Sequence, residues 1–169
     1  MSLFLIANGP SPTTTAQVVV TTGTAIKTLL QVKASATLPA KIKEWGISFD
    51  GSAAAAPIKV ELLETDVAAT VTAHVTAGIV RLDGNALQGG DPVTNLIPVG
   101  TTSTGYTASG EGSITATRMF DVQLIAPTNQ YVKQFPLGLE PVIDISKFAR
   151  IRVTAGTAVN AYCYMIIEV

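Results

Sequence analysis

The amino-acid sequence predicts an all-β protein, most simply an antiparallel β-sandwich. Short segments in which apolar and polar residues alternate recur along the chain, and such alternation is typical of strands with one buried face. Turn-forming residues, such as Asn8-Gly9-Pro10 and Asp50-Gly51, separate these segments. Patterns typical of long helices are missing. Many short strands with turn signals between them favour a sandwich or a barrel.

The clearest part of the pattern is the segment 41–66, which predicts a strand, a loop of small residues and a second strand. Its two apolar rows each repeat with a period of two, the period of a strand. The first row is Trp45, Ile47 and Phe49, and the second is Ile58, Val60 and Leu62. Core packing of Trp45 is therefore favoured over a role as a sugar platform.

Eight further segments carry the same signals, and the last of them is apolar on both faces. One of its stripes is Val159, Ala161, Cys163, Met165 and Ile167, and the other is Tyr162, Tyr164 and Ile166. We expect such a strand to lie at the centre of the sandwich or at a subunit contact, since both faces need cover. In chain order the eight are 3–7, 16–22, 25–34, 114–125, 130–137, 142–145, 148–154 and 159–169.

Two stretches depart from the regular pattern. In the segment 114–125, Arg118 interrupts an apolar face that includes Phe120, Val122 and Leu124, which predicts a position near an edge or an interface. Residues 65–112 hold several turn signals and a run rich in Thr, Ser and Gly, and they predict a long irregular excursion that packs on a neighbouring subunit. Within it, 67–75 is a candidate helical turn. The chain otherwise reads as one domain over residues 1–169.

The amino-acid composition excludes several classes of function. Charged residues make up 14% of the chain and the net charge is −1, against a usual charged share of about 25%. A chain without a basic balance is not expected to neutralise phosphates, which argues against nucleic acid as a partner. No stretch is long and apolar enough to span a membrane, and the N-terminus lacks the basic region of a signal peptide. We therefore expect a protein made in the cytoplasm.

Residues with catalytic or metal-binding chemistry are sparse. His74 is the only histidine and Cys163 the only cysteine, so neither a zinc set nor an internal disulfide is predicted. A structural or solvated His74 and a buried, inert Cys163 are the favoured interpretations. Tyr106, in a loop rich in Thr and Gly, is the best candidate for stacking on a sugar. The sequence thus predicts a protein that is not an enzyme, with no cofactor, metal or small-molecule substrate.

Three stretches together resemble the capsid decoration, or cement, proteins of tailed bacteriophages, most closely those of actinobacterial phages. They are KIKEWGISFDGSAAAAPIKVELLETD, TGYTASGEGSITATRMFDVQLIAPTNQYVKQFPLG and KFARIRVTAGTAVNAYCYMIIEV. The resemblance covers most of the chain from Lys41 onward and carries no catalytic signature. It implies a jelly-roll sandwich, a homotrimer, the major capsid protein as partner and a place on the capsid surface of the virion.

Under this resemblance the N-terminus is the candidate contact segment. Residues 1–12 are a candidate arm, and its apolar start would tether the chain to the capsid or to a neighbouring subunit. An ordinary edge strand of the sandwich explains the same pattern equally well. The candidate contact residues are Met1, Leu3, Phe4, Leu5 and Ile6.

Two other classes of function stay open at this stage. One is a carbohydrate- or receptor-binding module on the virion, because sandwiches also host lectins. The other is a different structural part of the virion, such as a tail tube, a connector or the coat protein itself. Clustered exposed aromatic residues would favour the first, and a long helix would favour a coat protein.

Overall fold

The prediction of an all-β sandwich is confirmed: two antiparallel sheets enclose one apolar core. The structure is a computed structural model that describes residues 2–52, 56–84 and 96–169. The strands are β1 (Leu3–Ala7), β2 (Val20–Thr21), β3 (Lys27–Lys33), β4 (Ala40–Asp50), β5 (Ile58–Thr65), β6 (Thr70–Ala73), β7 (Ile79–Arg81), β8 (Gly105–Gly110), β9 (Thr117–Ile125), β10 (Gln130–Gln134), β11 (Val142–Ile143), β12 (Phe148–Thr154) and β13 (Asn160–Glu168). One 3-10 turn, Thr76–Gly78, precedes β7.

The strand order is that of a jelly roll. One sheet, sheet A, runs β10-β4-β13-β1-β7, and the other, sheet B, runs β6-β8-β3-β12-β5-β9. Four antiparallel pairs are nested along the chain: β1 with β13, β3 with β12, β4 with β10 and β5 with β9. The chain thus forms one long hairpin. Its successive strand pairs belong alternately to sheet A and sheet B, which is the arrangement of a jelly roll.

The core forms where the inner faces of the sheets meet, as the alternation predicts. Trp45, Ile47 and Phe49 of β4 are buried, and so are Ile58, Val60 and Leu62 of β5. The Trp45 ring packs at a tilt against the ring of Tyr131, with centroids 5.3 Å apart. Trp45 is a core residue, and the two apolar rows face each other across the sandwich.

The C-terminal strand β13 lies at the centre of sheet A, between β4 and β1. Its first stripe, from Val159 to Ile167, is buried, and this part of the prediction is confirmed. Its second stripe is half-buried on the outer face of the sheet. Placing β13 at the centre of sheet A therefore buries its inner face but leaves its outer face partly exposed.

The segment predicted as a strand over 16–22 is a strand only at Val20–Thr21, because most of the edge of β13 is already occupied. β1 pairs with residues 164–168 of β13. Asn8 then continues the pairing with its side chain, which donates to the carbonyl of Ala161 and accepts from the backbone N–H of Cys163. Only Asn160 and Ala161 remain for β2.

The excursion over 65–112 is more regular than the sequence predicts. It contributes β6 and β8 to the edge of sheet B beside β3, and β7 to the edge of sheet A beside β1. The candidate helical turn over 67–75 is wrong, because β6 occupies its centre, as its β-branched residues favour. The turn-forming residues of this stretch separate strands only three to six residues long. Residues 85–95 of this stretch lie outside the described residues.

The described part of the excursion also packs on its own subunit. Arg150, on the outer face of β12, is fully buried and donates to the carbonyl and the carboxylate of Glu111. The Gln31 carboxamide of β3 donates to the carbonyl of Ser103 and accepts from the backbone N–H of Ala69. These polar contacts hold the excursion on the outer face of sheet B, and of the Arg150 nitrogens only Nε has no hydrogen-bond partner among the described residues.

Replacing Trp45 with Ala should lower the free energy of unfolding by about 3–5 kcal/mol, because it removes the largest core side chain and leaves a cavity. Urea unfolding, followed by circular dichroism, measures this. Ser48→Ala, on the outer face of the same strand, is the matched control and should change stability by less than about 0.5 kcal/mol. A Trp45→Ala protein as stable as the control would contradict the core assignment.

Candidate interaction surface

The N-terminal candidate residues form an inner strand of sheet A. β1 pairs with β13 on one side and with β7 on the other, so it is neither a free arm nor an edge strand. Phe4 and Ile6 are buried in the core, whereas Leu3 and Leu5 are half-buried on the outer face. Met1 lies outside the described residues. Of the candidate contact residues that the structure describes, only Leu3 and Leu5 are available to a partner.

Leu5 belongs to a larger apolar area on the outside of sheet A. The register places Val80 and Ile166 directly beside it, one on each neighbouring strand. Tyr164 and Tyr162 continue the same side of β13, with their ring centroids 6.3 Å apart. We call Leu5, Val80, Tyr162, Tyr164 and Ile166 the outer apolar face. Outward positions of a sandwich are usually polar, so this face is unusual for a surface exposed to water.

The position of Tyr164 depends on a glycine in the neighbouring strand. Gly46 lies opposite Tyr164, and a Cβ atom at Gly46 would come within 2.6 Å of the tyrosine ring. The ring therefore lies flat over the backbone of β4, and its hydroxyl donates a 2.6 Å hydrogen bond to Glu44. Burial, followed by this bond to a carboxylate, raises the pKa of Tyr164. Tyr164 is thus held in one orientation.

A small charged cluster borders the outer apolar face at the end of β13. Lys43 Nζ lies 2.8 Å from a carboxylate oxygen of Glu140 and 2.9 Å from one of Glu168. The hydrogen bond from Lys43 is the main reason that the pKa of Glu140 is lowered to about 2. The same bonds raise the pKa of Lys43. Lys43 thus bridges two carboxylates, and the cluster of Lys43, Glu140 and Glu168 borders the apolar face with one net negative charge.

At its other end the outer apolar face opens into a pocket of about 330 Å³. Leu5, Val80 and Tyr162 form part of its wall, together with Ala7 and Val19. Gln17 also lines it, and the buried Nε2 atom of Gln17 has no hydrogen-bond partner among the described residues. Within the part of the chain that the structure describes, the only ionisable side chain in the lining is the Tyr162 phenol.

His74 is structural, in line with one of the two predicted roles. It is buried in the segment between β6 and the 3-10 turn, and its Nε2 lies 2.7 Å from the carbonyl oxygen of Ala7. Because a carbonyl only accepts, Nε2 carries the proton of the neutral ring. Nδ1 has no partner within the part of the chain that the structure describes. The ring also packs edge-on against Tyr106, so His74 joins strands of both sheets.

The other candidate side chains are equally unavailable. Cys163 is fully buried, and burial raises the pKa of its thiol. Tyr106 lies in β8 and is half-buried against His74, so it is a strand residue, contrary to the expected loop position. Over residues 2–52, 56–84 and 96–169, no group of three or more His, Cys, Asp or Glu side chains is placed to hold a metal ion.

A second exposed apolar strip lies on the edge strand of sheet B. Arg118 does belong to an edge strand, β9, as predicted. Met119, Val122 and Leu124 of this strand are 62%, 43% and 72% exposed. The positions of β9 opposite the buried Val60 and Leu62 are Gln123 and Asp121. Met119, Val122 and Leu124 of β9 therefore face solvent, whereas Asp121 and Gln123 share the interior side with the buried Ile125.

Those inward polar residues seal the open side of the sandwich between β9 and β10. Asp121 accepts hydrogen bonds from Gln123 and from the Tyr131 hydroxyl, and it pairs with Lys133 at 3.2 Å. Burial opposes ionisation of Asp121, but these donors together lower its pKa. The sequence does not indicate that Asp121 and Gln123 face the interior. Periodicity shows that a strand has two faces, but it does not show which face is buried.

Comparison with known proteins does not identify the chain: no family model matches it, and no curated protein or solved structure is significantly similar. Within the described residues, no helix has the length and apolar character needed to cross a membrane. Function must therefore be argued from the surface itself. Sequence periodicity indicated the tyrosine stripe of β13, but it missed Val80, Val19 and Gln17, which lie in short or irregular segments.

Lowering the pH should destabilise the protein through His74. Burial, opposed by the bond to Ala7, lowers the pKa of His74 below its ordinary value of about 6.5. The unfolded chain then binds a proton more readily than the folded chain, so the free energy of unfolding falls as pH drops below about 6.5. Urea unfolding between pH 7.5 and 5 measures the slope. His74→Gln keeps an N–H donor and should flatten it; an unchanged slope would contradict this role.

The Cys163 thiol should not react with a water-soluble disulfide reagent in the native protein, because it is buried and its pKa is raised. In urea it should react fully, and absorbance of the released thiolate measures both states. Ser48→Cys, half-buried on the outer face, is a positive control that should react without urea. Fast native reaction of wild-type Cys163 would show that this part of the core opens.

Proposed function

We propose that this protein is a non-enzymatic structural component of a virion that binds the outer surface of an assembled phage capsid and stabilises it. The observation that carries the proposal is the outer apolar face, a half-exposed cluster of Leu5, Val80, Tyr162, Tyr164 and Ile166 on a rigid sheet. Aromatic and aliphatic clusters of this kind mark protein–protein contact surfaces. The resemblance to capsid decoration proteins supplies the identity of the partner, the major capsid protein.

The chemistry of the surface fits a repeating protein lattice as partner. The chain has few charges, and those described beside the outer apolar face are already engaged: Lys43 bridges Glu140 and Glu168, and Glu44 accepts from Tyr164. Attachment would therefore depend on apolar contact more than on electrostatic attraction. A small apolar face gives weak binding alone, but several copies that engage one lattice together bind much more tightly.

Stabilisation of the capsid follows from mass action. A protein that binds the assembled lattice and not its free subunits stabilises the lattice by an amount set by its concentration relative to its dissociation constant. No catalytic step is required. The partner in this proposal is neither nucleic acid nor membrane, and its place is the capsid surface of the virion after synthesis in the host cytoplasm.

Heads that lack the protein should lose their DNA at a lower temperature than decorated heads, and adding the purified protein should restore them. Leu5→Lys should weaken this binding on the order of 100-fold, since an unpaired charge buried in an interface costs about 2–5 kcal/mol. Leu124→Lys, on the exposed strip of β9, is the matched control with the same charge change on the opposite sheet.

Identical behaviour of bare and decorated heads would reject the proposal. If the protein instead bound host glycans, the carbohydrate- or receptor-binding alternative would replace it. Binding to tails or connectors alone would assign it to another structural part of the virion.

The proposal includes a homotrimer, since cyclic oligomers present several copies of one face to a lattice. Light scattering of the purified chain at micromolar concentration should give about three chains per particle. A monomer at every concentration, both free in solution and bound to heads, would reject the trimer. The capsid-binding proposal would then rest on attachment of single copies.

A further inference from the structure

The pocket beside the outer apolar face has features that a flat contact surface would not need. It encloses about 330 Å³, which is at the lower end of the range of roughly 300–1,000 Å³ for ligand pockets. Its wall combines aliphatic side chains from β1 and β7 with the Tyr162 ring and residues of the segment between β1 and β2. Such a cavity has room for a single apolar group.

One polar atom in the pocket lacks a partner. Gln17 Nε2 is buried and has no hydrogen bond within the described residues. Its carboxamide is packed against Gly9, where a Cβ atom would come within 2.7 Å of Nε2. An unpaired buried donor is unfavourable, and a turn of the carboxamide into the pocket would let Nε2 meet an acceptor on an occupant. The occupant that best complements this site therefore brings a carbonyl or a hydroxyl oxygen.

The absence of charged side chains in the described lining further limits the chemical groups that the pocket can bind. The lining holds no acidic or basic side chain, so a charged group would lose its hydration without gaining an ion pair. The pocket thus selects a neutral group that has an apolar body and one hydrogen-bond acceptor. A leucine-like side chain with its own peptide carbonyl is such a group.

The position of the pocket favours a protein as the source of this group. Leu5, Val80 and Tyr162 belong both to the pocket wall and to the outer apolar face. A small molecule would fill the pocket and leave Tyr164 and Ile166 half-exposed, whereas a protein surface would cover both at once. Anchor side chains that enter a pocket at the centre of an apolar contact are typical of tight protein interfaces.

We propose that this pocket anchors a neutral, apolar side chain of the capsid partner, whose backbone carbonyl accepts a hydrogen bond from Gln17. The inference rests on the proposed function for the identity of the partner. The pocket chemistry itself is tested on the purified chain alone.

The probe is N-acetyl-leucine methylamide, added to isotopically labelled protein and followed by NMR. It should produce saturable shifts of the Leu5, Val19 and Val80 methyl groups and of the Gln17 side-chain amide, with a dissociation constant in the millimolar range. N-acetyl-aspartate methylamide, which has the same backbone and a negative charge, should bind at least tenfold more weakly. Absence of saturable shifts at these groups would overturn the inference.

Two variants separate the apolar from the polar part of the site. Val80→Asp places a charge in the wall and should abolish the shifts. Val75→Asp, at an exposed position outside the pocket, is its matched control and should leave them unchanged. Gln17→Leu keeps the apolar wall and should weaken the probe about two- to tenfold, the worth of one hydrogen bond. Shifts that survive Val80→Asp would count against the site. An affinity for the probe that Gln17→Leu leaves unchanged would count against its preference for a hydrogen-bond acceptor.

The head-binding assay distinguishes this inference from the proposed function. Ile166→Lys changes the outer apolar face outside the pocket, and Val19→Asp changes the pocket wall alone. Loss of head binding in both variants supports both proposals. Loss in Ile166→Lys alone retains capsid binding by the outer apolar face and rejects the pocket as its anchor. If Val80→Asp abolishes only self-association in light scattering, the occupant is a second copy of the chain, and the assignment to the capsid partner is overturned.

Discussion

The whole structure depends on the pairing of the last two strands at the centres of the two sheets. β13 lies between β1 and β4, and β12 lies between β3 and β5, so neither sheet is complete until the C-terminal residues are in place. Most of the pairings join residues far apart in the chain, which makes such folds slow to form. In return, the first and last strands are fixed side by side within one sheet, and the outer face of that sheet is held rigidly. A contact surface built there needs no reorganisation before it binds.

The two open sides of the sandwich are closed in different ways. On the side of β1 and β3, the excursion adds β7 to one sheet and β6 and β8 to the other, and His74 links them through Ala7 and Tyr106. On the side of β9 and β10, polar side chains around Asp121 fill the gap. The first closure buries His74 and Ile79, whereas the second leaves Met119, Val122 and Leu124 of β9 exposed. The pocket lies on the outer side of the first closure, which explains why residues of the excursion contribute to it.

Several apolar residues that look alike in the sequence therefore have different roles. Phe4 and Ile6 stabilise the core, whereas Leu3 and Leu5, their immediate neighbours, lie on the outer face. In the same way, the two stripes of β13 divide between the core and the outer apolar face. Each strand contributes to stability with one set of residues and to the surface with the other. A substitution at an inward-facing strand position is thus expected to affect folding, and one at an outward-facing position is expected to affect binding.

The sequence by itself determined the all-β class, most strand positions and the core role of Trp45, because alternation with a period of two follows directly from strand geometry. The predicted jelly-roll sandwich agrees with the strand order. Only the tertiary structure decided that β1 is an inner strand, that the excursion packs on its own sheets and that Met119, Val122 and Leu124 of β9 turn outward. Those outcomes depend on which strands become neighbours, and pairing between distant segments leaves no mark on local periodicity. The pocket could not be predicted from the sequence for the same reason, since its wall combines residues of β1, β7, β13 and the segment before β2.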